Sequence, residues 1–313
     1  MKQVMKSIFD GVLWVLVLLV IAVSVWAGYV NFQVNSIESV NRLSTPGELL
    51  TINDYNIHVQ TFGDLTQGTP VLLLHGFDPT GSLHLTELAQ NLSAEHPVIL
   101  PDMLGFGFSE RVLTPGTHYT HAGRARTMVA LLDALGVEQV YLIGHSYGGA
   151  VAGQLALDYP QRVRRIVFMS ANIYPQGFNI FRALGSLPAG FGRAVTFSAV
   201  GGGSADYSHE DSNCINCSIN PRNQYVLIPN TTDALLAINR TPQESRVATD
   251  IGTLSMPVAV IWGQDDMIVP VRYGERLIAE TQPEEVAILG ASGHEPYSDN
   301  LSEVLESLRA FLP

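Results

Sequence analysis

The sequence predicts a mostly parallel β-sheet that is covered by helices on both faces. Continuous short apolar runs, as expected for strands buried on both faces, alternate with longer segments of helical periodicity. The apolar runs occupy residues 71–75, 98–102, 140–144, 166–170, 258–262 and 286–290. Strand and helix in alternation are typical of an α/β sheet with helices on both sides.

An antiparallel pair of strands is expected ahead of these runs. Residues 49–53 and 56–62, "LLTIN" and "NIHVQTF", flank a turn signal at Asn53 and Asp54. The helical segments are represented by residues 122–136, "AGRARTMVALLDALG". Its apolar residues recur at helical spacing, and it ends on a glycine that can terminate a helix.

Length and composition favour one large core with an insertion. The chain has 313 residues, of which 46% are hydrophobic and 15% charged, and its net charge is −12. Nucleic-acid binding depends on clustered Lys and Arg against phosphate. This acidic composition therefore argues against a DNA or RNA partner.

The N-terminal segment predicts a transmembrane helix. Residues 11–30 carry no charge and are numerous enough to cross a bilayer, and Trp14 and Trp26 lie toward the two ends. Lys2 and Lys6 precede the run, and no basic residue follows until well beyond it. We therefore expect a membrane anchor at residues 11–30, with everything after it on the extracytoplasmic side.

The alternative is a secreted protein whose signal peptide is removed. Val25 and Ala27 are small enough to precede a cut after Ala27, but an apolar run of this length exceeds that of most signal peptides. Both interpretations export the domain. A third, a buried helix of a soluble protein, is disfavoured because no polar face interrupts the run.

The alternation of strands and helices stops between residues 172 and 250. A structureless loop of that length is improbable in a compact domain, so we expect an inserted cap with short helices. The expected organisation is an anchor at 1–30, a linker at 31–48, a core in two parts at 49–171 and 251–313, and the cap at 172–250. A second domain with its own core is the alternative for the inserted segment.

Two cysteines lie within this inserted segment, in "NCINC". Cys214 and Cys217 could form a local disulfide in an exported protein, and two free thiols are the alternative. Only His209 is close enough in sequence to suggest a metal site, and zinc needs more ligands. The motif does not follow a strand as a redox motif would.

A serine marks the end of one predicted strand. Ser146 stands in "LIGHSYGGA", between the strand at 140–144 and a predicted helix, with Gly144 and Gly148 on either side. At such a sharp corner the backbone is strained and the neighbours must be small. The corner would raise the hydroxyl above the carboxyl edge of the sheet, as for a nucleophile.

A nucleophilic serine needs a base and an acid, which follow it in the chain on this type of scaffold. His294, in the loop after the last predicted strand, is the expected base. The acid should come from the loop after the preceding strand, where Asp265 and Asp266 compete. We favour Asp266, because the apolar residues after it would pack while its side chain turns inward.

Negative charge on a substrate carbonyl needs hydrogen-bond donors that are already in place. One is expected to be the backbone N–H of Tyr147, directly after the serine. The other is expected to be the N–H of Phe77, because Gly76 allows close approach after the strand at 71–75. His75 is interpreted as a residue that braces this loop.

Five segments, in this order, resemble the signature segments of the α/β-hydrolase superfamily, in its single-domain capped branch. They are "HGFDPTG", "PDMLGFGFSE", "LIGHSYGGAVAGQLALDYPQRV", "WGQDDMIVP" and "SGHEP", and the resemblance extends over residues 49–312. It implies an eight-stranded, mostly parallel sheet with an inserted helical cap. It also implies a triad of Ser146, Asp266 and His294, with Asp102 in a structural role.

The resemblance implies hydrolysis of carboxylic esters through an acyl-enzyme on Ser146, as in membrane-anchored esterases and monoacylglycerol lipases. Haloalkane dehalogenases and epoxide hydrolases are similar overall but attack with an aspartate at this position. The expected partners are a small ester or acyl-lipid substrate and a membrane, with no cofactor or metal. Carbon–carbon bond hydrolysis, acyl transfer and a silent binding protein are the alternatives.

Apolar residues of the predicted cap have two interpretations. They could line an acyl pocket, or they could form a small core of the cap itself, which is favoured for most of them. The residues concerned are Phe178, Ile180, Phe181, Leu184, Leu187 and Phe191.

Overall fold

The computed structural model describes residues 2–37, 46–175, 183, 185, 187, 190–199, 228–243 and 245–313. Eight strands form one sheet. They are β1 (Glu48–Ile52), β2 (Tyr55–Phe62), β3 (Val71–Leu74), β4 (Val98–Pro101), β5 (Val140–His145), β6 (Val163–Met169), β7 (Val258–Gly263) and β8 (Glu285–Leu289).

The strand order is β1-β2-β4-β3-β5-β6-β7-β8, and only the β1/β2 and β2/β4 pairs are antiparallel. The predicted mostly parallel sheet is therefore confirmed. Asn53 and Asp54 connect β1 to β2, and both have positive φ, 50° and 67°. Ile52 faces Tyr55 across this turn. A two-residue turn with two positive φ angles suits the twist of a hairpin, which is why this pair opens the sheet.

Ten α-helices are described. They are α1 (Lys2–Ile37), α2 (Thr86–Leu92), α3 (His121–Ala134), α4 (Tyr147–Asp158), α5 (Phe191–Ala199), α6 (Thr231–Arg240), α7 (Val247–Asp250), α8 (Arg272–Thr281), α9 (Pro296–Asp299) and α10 (Leu301–Phe311). Short 3₁₀ turns complete the connections. They lie at Leu83–Leu85, Thr117–Tyr119, Pro160–Arg162 and Ile251–Thr253.

The helices cover the two faces of the sheet. In β3, Leu72 and Leu74 pack into the core on the side of α3, α4 and α8, whereas Val71 and Leu73 pack into the core on the side of α2 and α10. Successive side chains of a strand point to opposite faces. Both faces here are buried, so the strand is apolar at every position, which is the pattern that predicted it.

Between β6 and β7, the described residues form helices α5, α6 and α7. Arg193 of α5 pairs with Asp233 of α6 at 2.9 Å, which joins the first two. Cys214, Cys217 and His209 lie outside the described residues, so their pairing stays a prediction. The boundaries of the cap, 172–250, likewise stay a prediction.

Helix α1 is apolar and long enough to cross a membrane over Gly11–Asn35, with a mean hydropathy of 2.5. Its side chains from residue 11 to residue 26 are exposed, but the last turns contact α5. The contact is a small apolar cluster of Ala27, Val30, Val34, Ala194 and Phe197, with Phe191 at its edge. Polar bonds reinforce it, because Arg193 Nη1 donates to Asn35 Oδ1 at 2.8 Å.

Candidate active site

Ser146 lies at the corner where β5 ends and α4 begins. Its φ of 52° and ψ of −119° are strained for a residue with a Cβ atom. A Cβ atom on Gly144 would lie 2.6 Å from the carbonyl oxygen of Gly148, and one on Gly148 would lie 2.4 Å from the carbonyl oxygen of His75. These glycines are therefore the steric condition for the corner, as their spacing predicted.

Three side chains form a continuous hydrogen-bonded chain above this corner. The Oγ of Ser146 lies 2.9 Å from Nε2 of His294, and Nδ1 of His294 lies 2.8 Å from Oδ2 of Asp266. Asp266 follows β7 and His294 follows β8, so the parallel strands bring their loops to the carboxyl edge where Ser146 stands. The structure thus brings together the three residues that the sequence selected.

Asp266, rather than Asp265, contacts His294. Its Oδ1 accepts the N–H groups of Ile268 and Val269, both at 2.8 Å, so both carboxylate oxygens are engaged. Burial raises the pKa of Asp266, but the hydrogen bonds from His294 and from the backbone outweigh it and leave the pKa below its usual value. Asp265 has an exposed side chain. Asp266 is therefore an ionised, fixed acceptor.

The two predicted oxyanion donors flank the serine. Tyr147 is the first residue of α4, where N–H groups have no acceptor within the helix. A Cβ atom on Gly76 would lie 3.2 Å from the Cβ of Ser146, so the backbone that leads into Phe77 passes beside the serine. The side chains of Phe77 and Tyr147 are in edge contact, with ring centroids 6.1 Å apart.

His75 is fully engaged with backbone groups. Its Nδ1–H donates to the carbonyl of Gly76 at 2.7 Å, and its Nε2 accepts the N–H of Met103 at 2.9 Å. Burial lowers the pKa of His75 to about 4, which keeps the ring neutral. The ring braces the loop after β3, in agreement with the interpretation of His75 from the sequence.

His145 is a site residue that the sequence reasoning missed. Its Nε2–H donates to the backbone carbonyl of His294 at 2.9 Å, and its ring packs edge-on against Tyr297. Burial, with the nearby His294, lowers the pKa of His145 to about 3. Its position directly before Ser146, at the end of a buried strand, was the signal that could have identified it.

The buried carboxylate of Asp102 accepts three hydrogen bonds. The donors are Nδ1 of His58 at 2.7 Å and the N–H groups of Ser82 and Phe108 at 2.7 and 2.9 Å. Burial would raise the pKa of Asp102, but the partners, His58 first, hold it below its usual value. Asp102 joins three segments near the site, which agrees with the structural role implied by the family resemblance.

A cleft of about 660 Å³ opens above Ser146. Both the core and the described cap helices contribute to its walls. Among the described lining residues are the acidic side chains of Asp78 and Glu295, and no Lys or Arg. The lining residues that come from between β6 and β7, or from the loop after β7, include Val195, Thr196, Leu235, Ile238, Asn239, Gln243, Met267 and Ile268.

Only two of the apolar cap residues that the sequence analysis names, Leu187 and Phe191, are among the described residues. Phe191 packs at the edge of the cluster between α1 and α5 and is not a cleft-lining residue, so its apolar neighbours come from the N-terminal helix as well as from the cap. Leu187 is exposed. Phe178, Ile180, Phe181 and Leu184 lie outside the described residues.

Comparison with known proteins decides the family. The family model of the α/β hydrolase fold matches residues 69–301. The chain belongs to the α/β hydrolase fold family. The match includes Ser146, Asp266 and His294 and all the strands from β3 onward.

Among α/β hydrolases, the chain is similar to proteins with different activities. It is 30% identical to 2-hydroxymuconate semialdehyde hydrolase of Pseudomonas putida over 243 residues, which cover 74% of this chain and 82% of that one. A thermophilic esterase from Thermogutta terrifontis matches with a TM-score of 0.64 and 23% identity, covering 86% of this chain and 98% of that one. A membrane phospholipase A matches with a TM-score of 0.64 and 18% identity, covering 100% and 98%.

Proposed function

We propose that this α/β hydrolase cleaves carboxylic esters through an acyl-enzyme on Ser146. The observation that carries the proposal is the hydrogen-bonded chain from Ser146 through His294 to Asp266, at the floor of a cleft. A serine hydroxyl becomes a nucleophile when a base takes its proton and an acid orients that base. Each of these groups is in contact with the next.

In the proposed mechanism, Oγ of Ser146 attacks the carbonyl carbon while its proton passes to Nε2 of His294. The N–H groups of Phe77 and Tyr147 meet the negative charge that develops on the carbonyl oxygen. The intermediate then expels the alcohol, which takes the proton from His294. Water, activated by the same ring, hydrolyses the acyl-enzyme. Asp266 holds the ring in the required tautomer throughout.

The charge of the cleft favours a neutral ester over an anionic substrate. 2-Hydroxymuconate semialdehyde, in the name of the Pseudomonas relative, is a carboxylate, and buried anions are held by cationic groups. The described lining carries Asp78 and Glu295 and no cationic Lys or Arg. Burial raises the pKa of Asp78, but the nearby His84 ring and hydrogen bonds from Thr80 lower it to about 2, so this carboxylate is ionised.

The second candidate function is hydrolysis of a carbon–carbon bond. The 30% identity to 2-hydroxymuconate semialdehyde hydrolase favours it, and the same three side chains could serve it. Acyl transfer to an alcohol instead of water would need only a different acceptor in the second half of the cycle. A binding protein without activity is the third class.

An acyl lipid at a membrane is the proposed physiological substrate, with α1 as an uncleaved anchor and the catalytic domain extracytoplasmic. Ala27, Val30 and Val34 pack on α5, the helix that also contributes Val195 and Thr196 to the cleft. Cleavage near Ala27 would cut through this contact, which supports retention of the helix over a secreted form. The similarity to a membrane phospholipase A, which extends over the whole chain, also supports the proposal.

The test uses the full chain in detergent micelles. Nitrophenyl esters of increasing acyl length, a monoacylglycerol and a meta-cleavage dienoate would be assayed side by side. We expect turnover of the esters and of the monoacylglycerol but not of the dienoate. Ser146→Ala and His294→Ala should each abolish this turnover and leave the thermal midpoint nearly unchanged.

Three outcomes would contradict the proposal. Turnover of the dienoate alone would establish the carbon–carbon candidate. Full ester activity in Ser146→Ala would exclude the acyl-enzyme. Folded wild-type protein that neither turns over a substrate nor reacts with a fluorophosphonate at Ser146 would indicate a binding protein.

A further inference from the structure

Arg124 is a buried cation without a carboxylate partner in the described part of the chain. Its side chain, on α3, is 1% exposed. Nη1 donates to the carbonyl of Leu104 at 2.8 Å and Nε donates to Oη of Tyr147 at 3.0 Å, while Nη2 has no hydrogen-bond partner among the described residues. A buried charge with no ion pair is costly to the fold, so its retention calls for an explanation.

Three aromatic rings surround this guanidinium. Its Cζ lies 5.0 Å from the ring centroid of Phe106, 5.2 Å from that of Tyr119 and 5.4 Å from that of Tyr147. Cation–π contacts offset part of the cost of burial, but neutral rings leave the positive charge unbalanced. The buried carboxylate of Asp102 is paired with His58 instead.

The ring cage adjoins both proposed oxyanion donors. Tyr147 is a member of the cage, and its hydroxyl accepts from Arg124 and donates to the carbonyl of Tyr119 at 3.3 Å. Phe77 contacts the cage through Phe106, with ring centroids 5.3 Å apart. The side chains of both donor residues are therefore held near Arg124: Tyr147 directly, and Phe77 through Phe106.

The charge also acts on the loop beside the serine. Burial is the main cause of the low pKa of His75, and the positive charge of Arg124 adds to the lowering. His75 immediately precedes Gly76 and Phe77. The field of the guanidinium thus reaches the segment that carries one of the donors.

We propose that Arg124 is a positioning residue for the oxyanion hole. It fixes the side chain of Tyr147, and its unbalanced positive charge favours the negative oxygen of the tetrahedral intermediate in a site of low dielectric. Arg124 does not line the cleft, so it acts without touching the substrate. The inference rests on the proposed role of Ser146 as nucleophile. On this inference, Arg124 lowers the activation barrier of the chemical step and does not contribute to substrate binding.

The test compares Arg124→Gln, which removes the charge, with Arg124→Lys, which keeps it. Arg126→Gln is the matched control, because Arg126 is exposed on the same helix. The full chain in detergent is assayed for kcat and KM on one ester, and for the rate at which a fluorophosphonate labels Ser146. We expect Arg124→Gln to lower kcat and the labelling rate about tenfold, with KM unchanged. Arg124→Lys should stay within about threefold of wild type.

The outcomes separate this inference from the proposed function. Suppose that wild-type protein hydrolyses the ester and is labelled at Ser146, and that folded Arg124→Gln matches it in both rates. This result would overturn the role of Arg124 and leave the proposed function in place. A change in KM without a change in kcat would also overturn it, as would a folded Arg124→Lys that is tenfold slower. If Arg124→Gln does not fold, the Arg124→Lys result decides. Wild-type protein that neither labels nor hydrolyses would overturn the proposed function instead.

Discussion

His145 and His294 are joined by a hydrogen bond from the Nε2–H of one ring to the backbone carbonyl of the other residue, at 2.9 Å. The first residue ends β5 and the second lies in the loop after β8, so the bond spans the carboxyl edge of the sheet. The bond holds in place the loop that carries His294, whose ring contacts Ser146. A ring that stays neutral, as His145 does, donates this bond without adding a charge beside the base.

This relationship predicts a loss of rate in His145→Phe, which keeps a ring but removes the donor. We expect kcat to fall about fivefold to tenfold with KM nearly unchanged, since one hydrogen bond contributes about 1 kcal/mol. Steady-state kinetics on the preferred ester measure it. His96→Phe is the control, because the His96 ring packs against Tyr141 in a position outside the cleft lining. An unchanged kcat in folded His145→Phe would contradict the prediction.

Asp266 and Asp265 differ in environment, and their amide variants should differ in activity. Asp266→Asn should lower kcat about 10⁴-fold, because an amide facing Nδ1 of His294 favours the wrong tautomer. Asp265→Asn should leave kcat within about threefold, since the Asp265 side chain is exposed and the carboxylate bonded to Nδ1 of His294 is that of Asp266. Both are measured with the ester assay. The reverse ranking would contradict the assignment of Asp266 as the acid.

The close packing at the Ser146 corner predicts that Gly144→Ala is destabilising, whereas a substitution at an unpacked glycine, Gly290, is not. A Cβ atom on Gly144 would meet the backbone of Gly148 at 2.6 Å, whereas one on Gly290 would meet nothing within 4 Å. Gly144→Ala should therefore lower the free energy of unfolding by about 3 kcal/mol and reduce ester turnover. Gly290→Ala should be close to neutral. Denaturant unfolding followed by circular dichroism measures both, and equal stabilities would refute the steric account.

Stability should be highest near the ordinary pKa of histidine, 6.5. His75 and His145 have folded-state pKa values of about 4 and about 3, so the unfolded chain binds their protons first and stability falls as pH drops below 6.5. Burial lowers the pKa of His58, but Asp102 outweighs it and raises the pKa overall. The stabilising contribution of His58 is therefore complete below pH 6.5 and is lost as pH rises through its folded-state pKa.

Thermal midpoints measured in one detergent, at pH values below and above 6.5, test the acid and the alkaline decline in stability separately. His58→Gln should flatten the decline on the alkaline side and leave the acid side in place. An alkaline decline of the same slope in His58→Gln would show that another group causes it.

Local sequence was sufficient to predict most of the fold and the three contacting side chains. Continuous apolar runs arise because both faces of a parallel sheet are buried. Glycine is required at positions 144 and 148 because α4 follows β5 so abruptly that a Cβ atom at either position would clash with the backbone. The chain order of serine, acid and base followed from the same scaffold. The sequence favoured Asp266 over Asp265, but the contact that distinguishes these adjacent carboxylates is made between two loops.

Contacts between segments far apart in the chain could not be predicted in this way. The orientation of Asp266 depends on where the β7 loop meets the β8 loop, and the role of His145 depends on a carbonyl 149 residues away. The cluster that contains Val34 and Phe197, and the ring cage around Arg124, likewise join segments that are far apart in the chain. By itself the sequence determined the sheet, the apolar N-terminal helix and the corner at Ser146, because these depend on neighbours within a few residues. Only the tertiary structure decided which carboxylate faces His294 and which buried charge lies behind the oxyanion donors, because burial and hydrogen-bond geometry depend on packing between distant segments.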